Sequence, residues 1–275
     1  MDATEVEEAL RVFEAALSQI KWRLKPASKR RLQTDILALC STMRPCIMVD
    51  YGGKMPELGD HLCAFLNHCK KESSIFEHLR VMVIDDMVYL IQIMTQGQAG
   101  QSPAVMQLLS AQKFFSSVLH EDGVIGDHLQ RHETYTARSS LDGHATSGSP
   151  ELVDLSCCLQ ESQVTIPTLN GWLLGYPVIY LFGKDYIEHA VYSLSTKSLH
   201  IYQIFVNRVS AFSKGYQKEE LMSFTVPFDL SMEGSNEPWA QSFLAHMRGR
   251  WENCKHIWGS LHLEVSGCYP QAIAL

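Results

Sequence analysis

Over the first helical stretch of the chain, apolar side chains recur at Val6, Leu10, Phe13, Leu17, Ile20 and Leu24. Intervals of three and four residues put them on one face of a helix. Thr4 followed by Glu7 fits a capping box, in which hydroxyl and carboxylate satisfy the free N–H groups of a helix start. Pro26 interrupts the pattern, and Ser28 is placed to cap a second helix with Leu32, Ile36 and Leu39 inward. The chain is therefore expected to open as a helical hairpin.

After Pro45 the run CIMVDYGG predicts a short buried strand ending at two glycines, and Pro56 suits the first turn of a third helix. Leu58, Leu62, Phe65 and Cys69 form its apolar face. VMVI and MVYLIQIM, separated by Asp85 and Asp86, are β-rich runs that suggest a hairpin or a strand with an edge partner. Ser102-Pro103 reads as a helix start, followed by the periodic AVMQLLSAQKFFSSVLH. From Glu121 to Pro150 the apolar period disappears into Gly, Ser, Thr, His and Asp, as expected of a long flexible loop or disordered insert.

The second half supplies QVTIPT, PVIYLF, HAVYSL, LHIYQIFV and SFTVPF as strand candidates, with Ser195 to Ser198 as a hairpin connection. Pro238 opens an aromatic-rich helix carrying Trp239, Phe243, Met247, Trp251 and Trp258, and LHLEVSGC alternates like a half-buried strand. The most apolar run, TIPTLNGWLLGYPVIYLF, is too interrupted by Pro167, Asn170, Gly171, Gly175 and Pro177 to cross a bilayer. The better reading is a strand, an Asn170-Gly171 turn and a second strand, with a short helical turn over GWLLG as the alternative.

Composition adds limits to this pattern. With 46% hydrophobic and 19% charged residues, 275 residues suffice for a sizeable core. The expectation is one globular domain spanning 1–275, with 121–150 as an insert within it. The balance of 23 basic and 30 acidic residues, a formal −7, provides no basic excess for a phosphate backbone, so neither nucleic acid nor membrane is an expected partner. The acidic start MDATEVEEAL does not resemble a secretory signal or presequence, so a cytoplasmic or nuclear, non-secreted protein is expected. Eight cysteines are too sparse for a disulfide scaffold, and reduced thiols are expected.

RLKPASKRRLQTDILALC, the RPC…DYG strand, VIDDMVYLI and LNGWLLGYPVIY together resemble the uncharacterised vertebrate family called chromosome 1 open reading frame 74, over nearly the whole chain. The resemblance implies an intracellular eukaryotic protein with a domain of unknown function. It carries over no catalytic residue.

Candidate chemistry is sparse. VDYGGKMPELG ends a strand in Asp50, Gly52 and Gly53 before a helix, where α/β proteins bring backbone N–H groups to phosphate. It is similar to the first motif of nucleoside-cofactor methyltransferases, but lacks a third glycine and the usual acidic residue after a second strand; a plain strand-to-helix turn is the better reading. Asp85 and Asp86 could hold a divalent ion or divide acid and base roles, or simply be a polar hairpin tip. Histidines and cysteines occur as HLC, HC, HLQRH and CKH without paired metal-ligand spacing, and no metal or cofactor is expected. Cys157 or Cys158 with His189 or His200 is a formal nucleophile and base pair without a supporting motif. Trp239, Arg248 and Trp251 could form an interaction patch, although Trp at helical spacing also builds cores.

The pattern as a whole predicts an α+β fold, N-terminal helices packed on a mixed, mainly antiparallel sheet contributed largely by the C-terminal half. The expected function is a non-catalytic interaction or scaffold role with an unidentified protein partner. The alternative is a small-molecule or nucleotide-binding enzyme with a pocket near Asp50 to Gly53, Asp85, Asp86 and the segment containing Asn170, Gly171, Gly175 and Tyr176. The two part on whether these residues converge on one cavity.

Overall fold

The computed structural model describes residues 1–93, 152–156, 164–208 and 217–270. The expected helix after Ser102-Pro103, the 121–150 insert, His128, His132, Cys157 and Cys158 lie outside these residues.

Helix α1 (Ala3–Ile20) buries Val6, Phe13 and Leu17, as its apolar spacing predicts. Its capping box forms two residues earlier than expected: the Asp2 carboxylate accepts from the Glu5 amide and the Glu5 carboxylate from the Asp2 amide. An aspartate at position 2 offers the stronger acceptor, so Thr4 falls inside the helix. Helix α2 (Pro26–Cys40) starts at the proline itself, with Lys25 ahead of it and no side-chain cap, and turns Leu32, Ile36 and Leu39 inward. Strand β1 (Cys46–Met48) and helix α3 (Glu57–Glu72) follow.

Strands β2 (Leu79–Ile84) and β3 (Met87–Gln92) form the expected hairpin, with Asp85 and Asp86 at its tip. A short β4 (Leu152–Asp154) pairs parallel to β2, and β1 pairs antiparallel to β3, giving the order β1-β3-β2-β4. Both faces of this mixed sheet are covered. Ile47, Val81 and Leu90 belong to the main core with α1, α2 and α3. Cys46, Met82, Tyr89 and Ile91 face a second cluster containing Leu169, Leu173 and Leu174. A sheet buried on both sides needs continuous apolar strands, which is why VMVI and VYLI show no alternation.

Leu169, Leu173 and Leu174 belong to helix α4 (Ile166–Leu174), so the most apolar run opens as a helix, longer than the GWLLG turn and in place of strand, turn and strand. Pro167 sits in the first turn, where its missing N–H costs nothing. Asn170-Gly171 is consumed inside the helix, and the turn is made at Gly175, a left-handed cap with φ 71°. At Gly171 an added Cβ would stand 3.0 Å from Ile179, so glycine lets the following segment pack against the helix. PVIYLF forms no strand. It is pinned by Thr168, whose hydroxyl donates to the Tyr180 carbonyl at 2.5 Å, and by the Tyr180 hydroxyl, 3.0 Å from the Thr225 carbonyl.

HAVYSL, read as a strand, lies in helix α5 (Ile187–Ser195). Ile187, Ala190, Val191 and Leu194 have helical spacing, and only Leu194 is buried. Ser195 to Ser198 accordingly join a helix to a strand. Strands β5 (Leu199–Arg208) and β6 (Gln217–Pro227) form a second, antiparallel sheet with β7 (Trp258–Cys268), ordered β6-β5-β7. Helix α6 (Pro238–Glu252) lies between β6 and β7 in the chain. Trp258, expected on its apolar face, instead begins β7 and is wholly buried, its indole N–H 3.2 Å from the Ser41 hydroxyl.

The α+β class thus holds, with the strands divided over two sheets. Ile204 and Val206 of β5, Leu221 and Met222 of β6, and Leu244 and Met247 of α6 share one core with the N-terminal helices. Among the described residues no helix is long and apolar enough to cross a membrane.

Candidate functional site

β1 ends one sheet and β6 ends the other, and a cavity of about 330 Å³ opens between these edges. Its lining includes Arg31, Arg44, Asp50, Tyr51, Tyr176 and Glu220. Of the residues singled out in the sequence, Asp50 and Tyr176 both line this cavity, brought from distant parts of the chain.

Arg44 is the central group. It lies in the turn between α2 and β1, where Thr42 takes φ 60° and the Arg44 amide donates to the Ala38 carbonyl at 3.1 Å. Its guanidinium donates to the Leu221 carbonyl at 3.0 Å and to the Leu174 carbonyl at 3.3 Å. Leu221 is the residue skipped where β5 and β6 slip register, with Ile204 opposite Met222 and Phe205 opposite Glu220. A bulge leaves such a residue unpaired in the ladder, and Arg44 supplies the missing donor. Arg31 reaches the preceding residue, donating to the Glu220 carbonyl at 2.7 Å. Two side chains thereby satisfy main-chain acceptors along this stretch of β6.

Behind the cavity, Asp35 sits one turn along α2 from Arg31, 1% exposed, with its Oδ1 3.2 Å from Arg31 Nε. The Tyr51 hydroxyl donates to the other carboxylate oxygen at 2.6 Å. Burial outweighs these partners and raises the Asp35 carboxyl above the ordinary carboxylate range. Burial also pushes up the phenols of Tyr51 and Tyr176, which therefore stay protonated as donors. Arg44, 5% exposed, has no carboxylate within ion-pairing distance, and its Nε has no hydrogen-bond partner. Burial lowers its pKa, yet a guanidinium remains a cation at neutral pH.

Tyr176 is positioned by the end of α4. Its amide donates to the Gly171 carbonyl at 2.9 Å as the helix closes through Gly175. Its ring packs against all three apolar clusters, with the Phe224 ring centroid 5.3 Å away. Gly175 therefore acts by placing Tyr176, while no described atom would touch a Cβ there.

The remaining candidates scatter. Asp85 and Asp86 are exposed and do not line the cavity; Asp85 takes φ 53°, and its amide donates to the Ser156 hydroxyl at 2.8 Å. Asn170 accepts from the Tyr89 hydroxyl at 2.5 Å across the α4 and sheet interface. The Gly52 carbonyl accepts from the Trp22 indole at 2.9 Å, and Gly53 packs toward Leu58. These contacts hold a strand-to-helix turn. Trp239 leans on Tyr202, 4.9 Å between centroids, and Trp251 donates to the Trp258 carbonyl, while Arg248 is exposed. His200 is held by Ser231, and His189 is exposed on α5. Among the described residues no group of three His, Cys, Asp or Glu could hold a metal ion.

Sequence reasoning missed Arg31, Arg44, Asp35, Tyr51 and Glu220. One signal was available: Arg31 and Asp35 stand four apart with opposite charge, and Asp35 lies beside Ile36 on the inward side of α2.

The fold and cavity define an α+β protein with a polar, arginine-lined cleft between two sheet edges. The family model described as Domain of unknown function (DUF4504) matches residues 14–275, and the chain belongs to that family. Comparison with curated proteins and with solved structures gave no match.

Two outcomes follow from this geometry. Gly52 takes φ 84°, and a Cβ there would stand 2.7 Å from Leu24 and 3.0 Å from the Trp22 ring. Gly52→Ala is expected to cost about 1–3 kcal/mol in urea denaturation, and an unchanged midpoint would refute this account of the turn. Asp35 binds its proton more tightly in the folded state, so its own contribution to stability is fully present below the ordinary value of 3.8 and is lost as pH rises through the raised folded value. Urea melts taken across that window should show the decline in the wild type and a flatter profile in Asp35→Asn.

Proposed function

We propose that the chain binds a small polar molecule in the cavity between the β1 and β6 edges. The observation that carries the reading is Arg44: a buried cation with no carboxylate partner, lining a concave space. A buried charge is ordinarily paired, and a ligand group is a natural counterpart. The Tyr176 and Ser223 hydroxyls, which hydrogen-bond to no described residue, support it as unspent polar groups at the same cavity. The volume falls at the small end of ligand sites.

On this reading residues 1–275 form one folded unit, and the protein is cytoplasmic or nuclear, without nucleic-acid or membrane partners. The motifs RPC…DYG and LNGWLLGYPVIY support placing it with the vertebrate chromosome 1 open reading frame 74 proteins. A second reading, a non-catalytic interaction protein, draws on Phe228, Leu230 and Met232, exposed apolar residues in succession beyond β6.

A thermal-shift screen with nucleotides, nucleoside cofactors, divalent metals and small organic acids and amino acids separates the two. A specific ligand raises the melting temperature by mass action, about 2.7 kcal/mol of stabilisation at a hundred times its Kd. Tyr176→Phe, which keeps the ring packing, should weaken the hit about three- to tenfold by loss of one hydrogen bond. No shift with any class would favour the interaction reading.

A further inference from the structure

We infer that the ligand is a small zwitterion, with a carboxylate at one end and an ammonium group at the other, of the size of a free amino acid. This inference rests on the small-ligand reading of the cavity and specifies its chemistry.

The charges around the cavity are segregated by how they are engaged. Arg31 is already committed, its Nε 3.2 Å from Asp35 Oδ1 and its Nη1 donating to a main-chain carbonyl. Arg44 hydrogen-bonds only to carbonyls, and Asp35 acts on its charge only from beyond ion-pairing distance. A carboxylate docking on Arg44 would supply the missing counter-charge, and a planar carboxylate matches the guanidinium fork. The Tyr176 phenol, held protonated by burial, is a further donor lining the same space.

The acidic groups set the other end. Asp50 is exposed at the end of β1 and forms neither hydrogen bond nor ion pair with a described residue. Glu220 keeps one carboxylate oxygen beyond the Gln203 amide that donates to it at 2.8 Å. Two carboxylates lining a cavity in a chain of formal charge −7 disfavour a polyanion such as a nucleotide, whose charge Arg44 alone could not balance. They favour a ligand that brings its own cation. A volume of about 330 Å³ accommodates a whole free amino acid.

The test uses the full chain and a panel of the twenty L-amino acids, each with its decarboxylated amine and its deaminated acid, together with inorganic phosphate, followed by calorimetry. At least one amino acid is expected to bind, with its amine and its acid about tenfold or more weaker. Asp50→Asn, at an exposed position that leaves the Arg44 contacts untouched, should weaken the amino acid about fivefold and leave the matching acid unchanged. Binding of the acid or of phosphate as tight as that of the amino acid would overturn the zwitterion inference and leave the small-ligand reading standing. So would an equal effect of Asp50→Asn on acid and amino acid. No binding by any panel member also overturns the inference, and the wider screen with nucleotides, cofactors and metals then decides the small-ligand reading separately.

Discussion

The structure turns on the bond from the Arg44 guanidinium to one carbonyl of β6, at Leu221. Where β6 bulges at Leu221, its ladder with β5 skips a residue, and the carbonyl of that residue needs a donor from outside the ladder. A buried carbonyl without a donor costs roughly 1–3 kcal/mol. Arg44 meets that need from the turn before β1, and in doing so ties the antiparallel sheet to the mixed one and, through the Leu174 carbonyl, to the end of α4. The cavity is a by-product of this tie. Two sheet edges joined by a side chain rather than by a ladder cannot approach as closely as hydrogen-bonded strands, and the space left between them is polar because its walls are strand ends and the arginines that cap them.

How much of this was legible follows from which signals are local. Helix α1, the β2 and β3 hairpin, β5, β6, β7 and α6 were readable because each is long or strongly patterned, with turn residues where the elements end. Helices α4 and α5 were misread because a nine-residue apolar run satisfies both strand and helix templates. In α4 the decision belongs to packing: Leu169 and Leu173 fill the space beneath the first sheet, and Gly171 admits Ile179. That information is not in the segment itself. Thr4 against Asp2 is a smaller case of the same kind, two overlapping capping patterns resolved by the better acceptor.

The site was half legible for a related reason. Asp50 and Tyr176 stand beside glycines that mark chain reversals, so local sequence pointed to them. Arg44 carries no such mark. Its importance depends on a register slip in β6, far along the chain, which no local pattern announces. Asp85, Asp86 and the Gly52-Gly53 pair attracted notice for chemistry that their surroundings put to other use, in a hairpin tip and beneath the Trp22 indole.

The caps on β6 also bear on how the molecule behaves in company. An outermost strand with vacant acceptors is a template for a strand from a second copy, and proteins commonly blunt such borders with charged side chains. Here Arg31, Arg44 and Tyr180 each occupy a main-chain oxygen along that border, at Glu220, Leu221 and Thr225. Arg31 and Arg44, which line the cavity, thus also cap acceptors along that border. A substitution at either arginine would bare an acceptor on the outermost strand and reshape the cavity wall in the same stroke.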